Sequence, residues 1–381
     1  MNSDLKKIPA PCFVLEEALL RRNLQLIDGV QKAAGVTVIL AFKGFAMWSA
    51  FPIVREFLSG ATASSLNEAR LCFEEMGTKA HTYAVAYAPR DFGKILGYSS
   101  HITFNSLTQY KRFRARVAAH PGRVSPGIRV NPGWSPVGTA LYNSASPGSR
   151  LGEPVENFKG RLPDGVEGLH FHTLCESSSY DLEKTLTYFE DQFGNFLPQL
   201  KWVNFGGGHL MTRAGYEVDH LVRTLQAFKA RHPQLQVILE PGSAIAWETG
   251  VLVATVLDVV KNKNVQTAIL DVSFTAHMPD TLEMPYRPRV RGASAEPVPG
   301  QPQYRLGGVS CLSGDFLEAY SFERPLKVGE KIVFEDMIHY TMVKSSTFNG
   351  VVHPSIAILR PDGQLDVVRR FGYRDYRNRL S

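Results

Sequence analysis

From about residue 36 to 242, short apolar runs alternate with segments whose apolar residues recur at helical spacing. The runs are VTVILAFK, GATASS, AHTYAVA, HITFN, SPGIRVN, GVEGLHFHT, KWVNFGGG and QVILEPG, eight in all. Between them lie helix-like stretches such as SLNEARLCFEEMG, SLTQYKRFRARVAAH and YDLEKTLTYFEDQFG. In the first of these, Ser65 and Glu68 have the spacing of a capping box, and Gly77 supplies a stop. Strand then helix, eight times over, predicts a (β/α)8 barrel, an α/β fold. The connection from Pro132 to Pro163 is long and rich in Pro, Gly and Ser, which in a compact barrel marks a functional loop.

After about residue 250 the period changes. GVLVATVLDVVKN, VQTAILDVS, QYRLGGVS, EKIVFEDM and SIAILRPDGQLDVV read as strands joined by turns, with few helices between them. The early strand in APCFVLEEALLRRNL precedes the barrel and is expected to pair into this second region. The expected division is a barrel over 21–250 and a β domain built from 1–20 with 251–381, a C-terminal all-β domain joined by the N-terminal strand.

In such a barrel, reactive side chains sit at the C-terminal ends of strands. Lys43 closes the first run, where it either snorkels to water or is kept for chemistry. His172, Gly206, Gly207, Gly208 and Glu240 close the sixth, seventh and eighth, so all of these converge on one rim. A lysine in a dry pocket loses its proton more easily, and its amine can then form a Schiff base with an aldehyde. Pyridoxal phosphate is the common aldehyde cofactor. Its phosphate needs backbone N–H groups, which three glycines before a helix expected near Ala214 can offer; a plain turn or close packing is the alternative. Its pyridine nitrogen needs a carboxylate, for which Glu240 in LEPG is placed; otherwise Glu240 is a rim acid. Its ring needs a flat partner, for which His172 is placed; otherwise His172 is structural.

Bulk properties narrow the classes. The 381 residues are 44% hydrophobic and 20% charged, those of a folded chain long enough for two domains. The net charge of +6 is scattered, and the tail RRFGYRDYRNR mixes acids and aromatics with its arginines, so no nucleic-acid partner is expected. Cys12, Cys72, Cys175 and Cys311 are far apart, without CxxC or metal spacing, so reduced thiols, a cytoplasmic setting and no metal are expected. No signal peptide or apolar run of about 18 residues is visible, so no membrane association is expected.

The stretches AFKGFAMWS, GATASSLNEARL, SPGSRLG over Ser146–Gly152, GLHFHTLCE, NFGGGH, LEPG, HMPDTLEMPYRP and FEDMIHYTMVKSSTFNGV carry a resemblance. Over nearly its whole length the chain resembles the fold-type III pyridoxal-phosphate decarboxylases, the alanine-racemase-like class that includes ornithine, diaminopimelate and arginine decarboxylases. Within that class it looks like the carboxynorspermidine decarboxylase branch. The resemblance implies Lys43 as the Schiff-base lysine, His172 against the ring, Gly206–Gly208 and Gly242 of LEPG at the phosphate with Tyr340, and Glu240 at the pyridine nitrogen. It implies a homodimer with shared active sites, Cys311 and Asp315 reaching into the neighbouring subunit's site. The chain departs from the broad pattern in three places: Ser243 stands where EPGR has its arginine, ATASS lacks the usual acid, and LSGD follows Cys311 in place of an immediate acid. These departures favour the carboxynorspermidine branch over ornithine decarboxylase.

The resemblance implies loss of the α-carboxylate as carbon dioxide from carboxynorspermidine or carboxyspermidine, with Cys311 as the candidate to return the proton. Asp271, Asp280 and Asp315 are candidates for the distal ammonium groups, each alternatively a turn or rim acid, and Arg150 in PGSRLG is a candidate for placing the amino-acid end. Glu240 argues against a racemase, which pairs the pyridine nitrogen with a cation. The alternatives are a diaminopimelate or other basic amino-acid decarboxylase, and a decarboxylase-like regulatory binding protein without turnover.

Overall fold

The computed structural model describes residues 7–139 and 142–381. Residues 1–6 of the expected N-terminal segment, and Ala140 and Leu141 of the long loop, lie outside the described residues. The chain divides into two compact units, one formed by residues up to Arg22 together with Ala246–Ser381, the other by Asn23–Ile245.

Strand β1 (Cys12–Glu16) belongs to the first unit and is taken up below. The unit Asn23–Ile245 is built on a parallel sheet: β2 (Thr37–Val38), β3 (Leu40–Ala41), β4 (Ala61–Ala63), β5 (Ala80–Ala84), β6 (Ser99–Phe104), β7 (Ser125–Arg129), β8 (Gly168–His170), β9 (Trp202–Asn204) and β10 (Gln236–Leu239). Each of the eight predicted runs contains one of these strands, and the count is nine because the first run is split at Ile39. The split is what closes the sheet. β2 pairs with β10 on one side and β3 with β4 on the other. Backbone N–H groups along the run alternate between neighbours: Ile39 to Leu239 O (2.9 Å) and Ala41 to Pro241 O (3.2 Å), Leu40 to Gly60 O (3.0 Å) and Phe42 to Thr62 O (3.3 Å). A ladder satisfied on both sides leaves no edge, which is the definition of a barrel.

Trp202, at the start of β9, fills the end of this barrel opposite the strand C-termini. It clusters with Ile39 and Ile238, and its indole Nε1–H donates to Ser125 Oγ at 2.8 Å. The sequence makes room with two glycines: a Cβ at Gly168 would lie 2.0 Å from the indole, and one at Gly127 2.3 Å.

The connecting helices follow the expected capping logic with local corrections. Ser65 caps Leu66–Leu71 by accepting from Glu68 N, while the Glu68 carboxylate takes the N–H of Ser64 rather than that of Ser65. Gly77 ends the following π-helical turn in the left-handed region (φ 68°). The helix expected near Ala214 begins instead at Val218 and runs to Arg231, because Arg213–Glu217 form turns around Gly215 (φ 77°). The three glycines at 206–208 therefore do not sit at a helix N-terminus.

The other unit carries a mixed nine-stranded sheet with β1, β11 (Gly250–Asn262), β12 (Val265–Leu270), β13 (Ala293–Ser294), β14 (Gln303–Gly307), β15 (Phe316–Phe322), β16 (Lys331–Glu335), β17 (Ser355–Leu359) and β18 (Leu365–Arg369). As the sequence implied, β1 joins this sheet, antiparallel to β11 and parallel to β17. The tail forms a helix over Tyr373–Leu380, and β13 and β15 were not among the expected strands. Among the described residues no helix is long and apolar enough to cross a membrane.

Candidate active site

Lys43 follows β3 on a turn whose glycine matters. A Cβ at Gly44 would lie 2.7 Å from the Gly242 Cα, so the ends of the first and last barrel strands meet through two bare backbones. Phe42, just before the lysine, stacks on Phe51 at 5.1 Å and anchors the turn from below. The Lys43 side chain is open to solvent at the barrel mouth, and Nζ lies 2.8 Å from His172 Nε2. The protein packed around the ammonium, then the Arg129 charge, lower its pKa to about 8, against the opposing pull of Glu240.

His172 stands two residues beyond the end of β8. Its Nδ1 lies 3.0 Å from Gly207 N and 3.2 Å from Gly207 O, so it can accept from one or donate to the other. Burial, then the Lys43 and Arg129 charges, hold the ring's pKa well below the usual histidine value, so it is neutral. A neutral ring has one N–H. If Nδ1 accepts from Gly207, Nε2–H faces an unprotonated lysine; if Nδ1 donates, Nε2 accepts from the ammonium. An ammonium at Lys43 therefore requires the tautomer that donates Nδ1–H to Gly207 O, whereas the neutral amine, which can donate or accept, fits either.

Glu240 is 9% exposed. Its Oε1 accepts from Asn204 Nδ2 at 2.6 Å, the Thr62 hydroxyl also bonds the carboxylate, and Oε2 lies 3.8 Å from His170 Nε2. Burial raises its pKa above the ordinary value, opposed by Asn204 and the Lys43 charge. Asn204 is fixed in turn, because its Oδ1 accepts from Gly206 N at 2.8 Å.

The glycine turn is close-packed. A Cβ at Gly206 would lie 2.5 Å from Phe171 O, one at Gly207 2.5 Å from Glu240 O, and one at Gly208 2.3 Å from Leu174. Gly206 and Gly208 also have φ of 68° and 93°. These glycines thus bring the segments carrying His172 and Glu240 together, the packing reading that the sequence had left open beside the phosphate reading.

Several polar groups in this mouth were not among the site candidates of the sequence. Arg129, buried at the end of β7, donates to His172 O at 3.0 Å and lies over the Tyr83 ring at 4.8 Å. The long loop pins the same carbonyl, through Ser144 Oγ at 2.6 Å. Glu68 acts on Lys43 from the helix after β4. His170 and Thr62 complete the surroundings of Glu240. An arginine inside SPGIRVN, and two histidines on one strand face in LHFH, were the available signals. Arg150 is exposed on the loop, its backbone oxygen accepting from Asn105 Nδ2 at 2.8 Å, and its charge is felt by Arg129 and Tyr83.

The remaining candidates lie in the other unit. Asp315 is buried, and its carboxylate accepts from the N–H groups of Phe274 (2.7 Å), Thr275 (3.1 Å) and Ser310 (3.2 Å). It braces two loops and does not present a free charge. Asp280 is ion-paired with Lys344, which also reaches Glu283 at 3.1 Å. Asp271 accepts from Thr255 N at 2.7 Å, and burial raises its pKa. Cys311 is exposed, its backbone N–H donating to Asn349 Oδ1 at 2.9 Å. Tyr340 has φ of 50°, a left-handed backbone rare for an aromatic residue. Among the described residues no cluster of three or more His, Cys, Asp and Glu could hold a metal.

Comparison with known proteins gives a consistent result. The family model described as pyridoxal-dependent decarboxylase, C-terminal sheet domain, matches residues 13–338. A carboxyaminopropylagmatine decarboxylase from Synechocystis is 53% identical, covering 100% of this chain and 97% of that protein. A carboxynorspermidine/carboxyspermidine decarboxylase from Campylobacter jejuni is 42% identical over 97% of this chain and 98% of its own length. The crystal structure of Campylobacter jejuni carboxynorspermidine decarboxylase complexed with norspermidine superposes with a TM-score of 0.91 at 41% identity, covering 98% of this chain and 100% of that one.

Proposed function

The chain belongs to the pyridoxal-dependent decarboxylase family, and on that premise we propose that it binds pyridoxal phosphate and removes the α-carboxylate of carboxynorspermidine or carboxyspermidine, releasing norspermidine or spermidine. One observation carries the reading: an amine with pKa lowered to about 8 stands 2.8 Å from a neutral histidine in a mouth that also holds a buried carboxylate. That donor set fits the cofactor. Lys43 is the covalent tether, Glu240 the partner of the ring nitrogen, and His172 the flat face. The phosphate falls to the backbone of Gly206–Gly208 and Gly242, with Tyr340. Bound pyridoxal phosphate supplies an electron sink for the pair left when the carboxylate departs.

The chain's own part is placement and proton control. Glu240 in its ionised form favours a protonated ring nitrogen, Lys43 takes and returns a proton, and Arg129 with Ser144 fixes the segment that carries His172. Arg150 contributes positive charge for the amino-acid end. For the distal ammonium, Asp280 with Glu283 is the better site, since this pair already binds one ammonium, that of Lys344. Asp271 and Asp315 act as braces, because their oxygens are taken by backbone N–H groups.

A second reading of the tail follows from the Synechocystis relative at 53% identity. Carboxyaminopropylagmatine has the same carboxyaminopropyl head and ends in a guanidinium, which takes a carboxylate bidentately where an ammonium is a point charge. Carbon dioxide release should be measured on all three carboxylated polyamines beside ornithine, lysine and diaminopimelate. Carboxynorspermidine and carboxyspermidine should turn over within about two orders of magnitude of each other, since one methylene is worth only about 1–3 kcal/mol. The three short amino acids should be poor, because none carries a distal ammonium far enough to take the place of Lys344 at Asp280 and Glu283. Preference for the agmatine derivative selects the second reading; efficient turnover of ornithine or diaminopimelate with none of the carboxylated polyamines overturns both.

Cys311 is assigned to the site of a second copy, as proton donor to the α-carbon, in a two-fold dimer. Mixing Lys43→Ala with Cys311→Ala tests this. Heterodimers then hold one intact and one doubly damaged site, so random exchange restores roughly a quarter of wild-type activity. No recovery with exchange confirmed would put both residues in one chain's site.

A further inference from the structure

His170 is used by nothing described so far. It ends β8, is 2% exposed, and faces the same side as His172 two residues on. Among the described residues neither of its ring nitrogens has a hydrogen-bond partner. Tyr83 meets it edge-on at 5.4 Å. Its Nε2 lies 3.8 Å from Glu240 Oε2, roughly an ångström beyond a hydrogen bond. Oε1 of the same carboxylate is tied to Asn204, and the Thr62 hydroxyl also bonds the carboxylate, so a donor at Oε2 would complete the hold on this side chain. A phenylalanine would fill this space without burying two bare polar nitrogens, so packing alone does not account for the residue.

We propose that His170 is a positioning residue for Glu240: its neutral ring donates Nε2–H to Oε2 and holds the carboxylate ionised and aimed at the pyridine nitrogen. The inference rests on the reading of Glu240 given above. The charge state of His170 follows from its neighbours. Burial comes first, then Arg129 and Lys43, and together they keep its pKa well below the usual value. His172, itself neutral, and Tyr83 add no charge at neutral pH. Glu240 is faced by Lys43, Arg129, Asn204 and Thr62. A neutral donor steadies the anion without cancelling it, as a protonated histidine would, so the negative charge stays available to the cofactor.

The test follows cofactor retention rather than turnover. Holoenzyme is dialysed against pyridoxal phosphate of fixed concentration at a series of pH values, and bound cofactor is read by absorbance. In the wild type, affinity falls as Lys43 takes a proton below about pH 8, and separately as Glu240 takes a proton and the ring nitrogen loses its partner; the second fall is the one followed. His170→Met should move that midpoint up by about one pH unit, a tenfold weaker binding at a given acid pH, with the alkaline plateau unchanged. His170→Gln keeps a donor at similar volume and should stay near wild type. The His170→Leu and His170→Asn pair makes the same contrast if the first pair folds poorly. A His170 that only fills space would lower thermal midpoints and leave the pH midpoint in place, which overturns the proposal. Glu240→Gln separates the two levels. If it keeps the fall assigned to Glu240, the reading of Glu240 fails; if it removes that fall while Met and Leu at 170 leave the midpoint unmoved, only the His170 inference fails.

Discussion

Lys43→Ala should yield a folded, colourless protein that borohydride cannot fix to cofactor, with decarboxylation reduced by about three orders of magnitude or more, ~4 kcal/mol of lost transition-state stabilisation. The side chain that would hold the aldehyde and shuttle its proton is gone, and Glu68, Arg129 and His172 offer no second amine. In the wild type the fixed label should map to the peptide containing Lys43. The unprotonated amine is the reactive form, so capture of added pyridoxal phosphate by cofactor-stripped protein should rise with pH and level off above about 8. Without burial and the nearby Arg129 charge the plateau would begin near the ordinary lysine value. The substitution should not cost thermal stability, because it removes an ammonium that the folded state holds at a disadvantage. Label on another lysine, or full colour in the variant, would remove Lys43 from the reaction.

The barrel was legible because each strand is buried on both faces and reads as a short apolar run, separated from the next by helical spacing. What pattern alone could not show was the break at Ile39, which arises from hydrogen-bonding to two different neighbours, and the start of the helix at Val218, where Gly215 makes a turn the sequence allowed either way. Lys43, His172 and Glu240 stood out because a polar group at the end of an apolar run is conspicuous. Thr62, Asn204, Arg129 and His170 did not, since a polar residue inside a run looks like an interruption until the barrel brings the runs face to face. The acids of the second unit show the opposite failure. Asp280 and Asp315 looked free in sequence because their partners are distant: Lys344 is 64 positions from Asp280, and Phe274 is 41 from Asp315. Charge along a chain says what a residue carries, and only the fold says what it is already paired with.

Glu240→Gln should still bind the cofactor, with an affinity that no longer titrates with this side chain, and lose about 10²–10³ in kcat, the scale of removing one preorganised electrostatic contact. The amide is nearly isosteric. Its oxygen can still accept from Asn204 Nδ2, so the 2.6 Å bond that fixes the side chain survives. What it lacks is negative charge at the second oxygen position, and an uncharged partner no longer favours the protonated ring nitrogen on which electron withdrawal depends. The pH behaviour gives the sign. Burial raises the Glu240 pKa in the folded protein, so wild-type activity should fall on the acid side as this carboxylate takes a proton, and the variant should lose that limb. The same raised pKa means that the ionised carboxylate costs stability at neutral pH, since folding favours its protonated form. Glutamine removes that cost, and the thermal midpoint of cofactor-stripped protein at neutral pH should therefore hold or rise. A variant that melts earlier would point to a folding lesion, while a stable variant with near-normal turnover would mean that some other group keeps the ring nitrogen protonated.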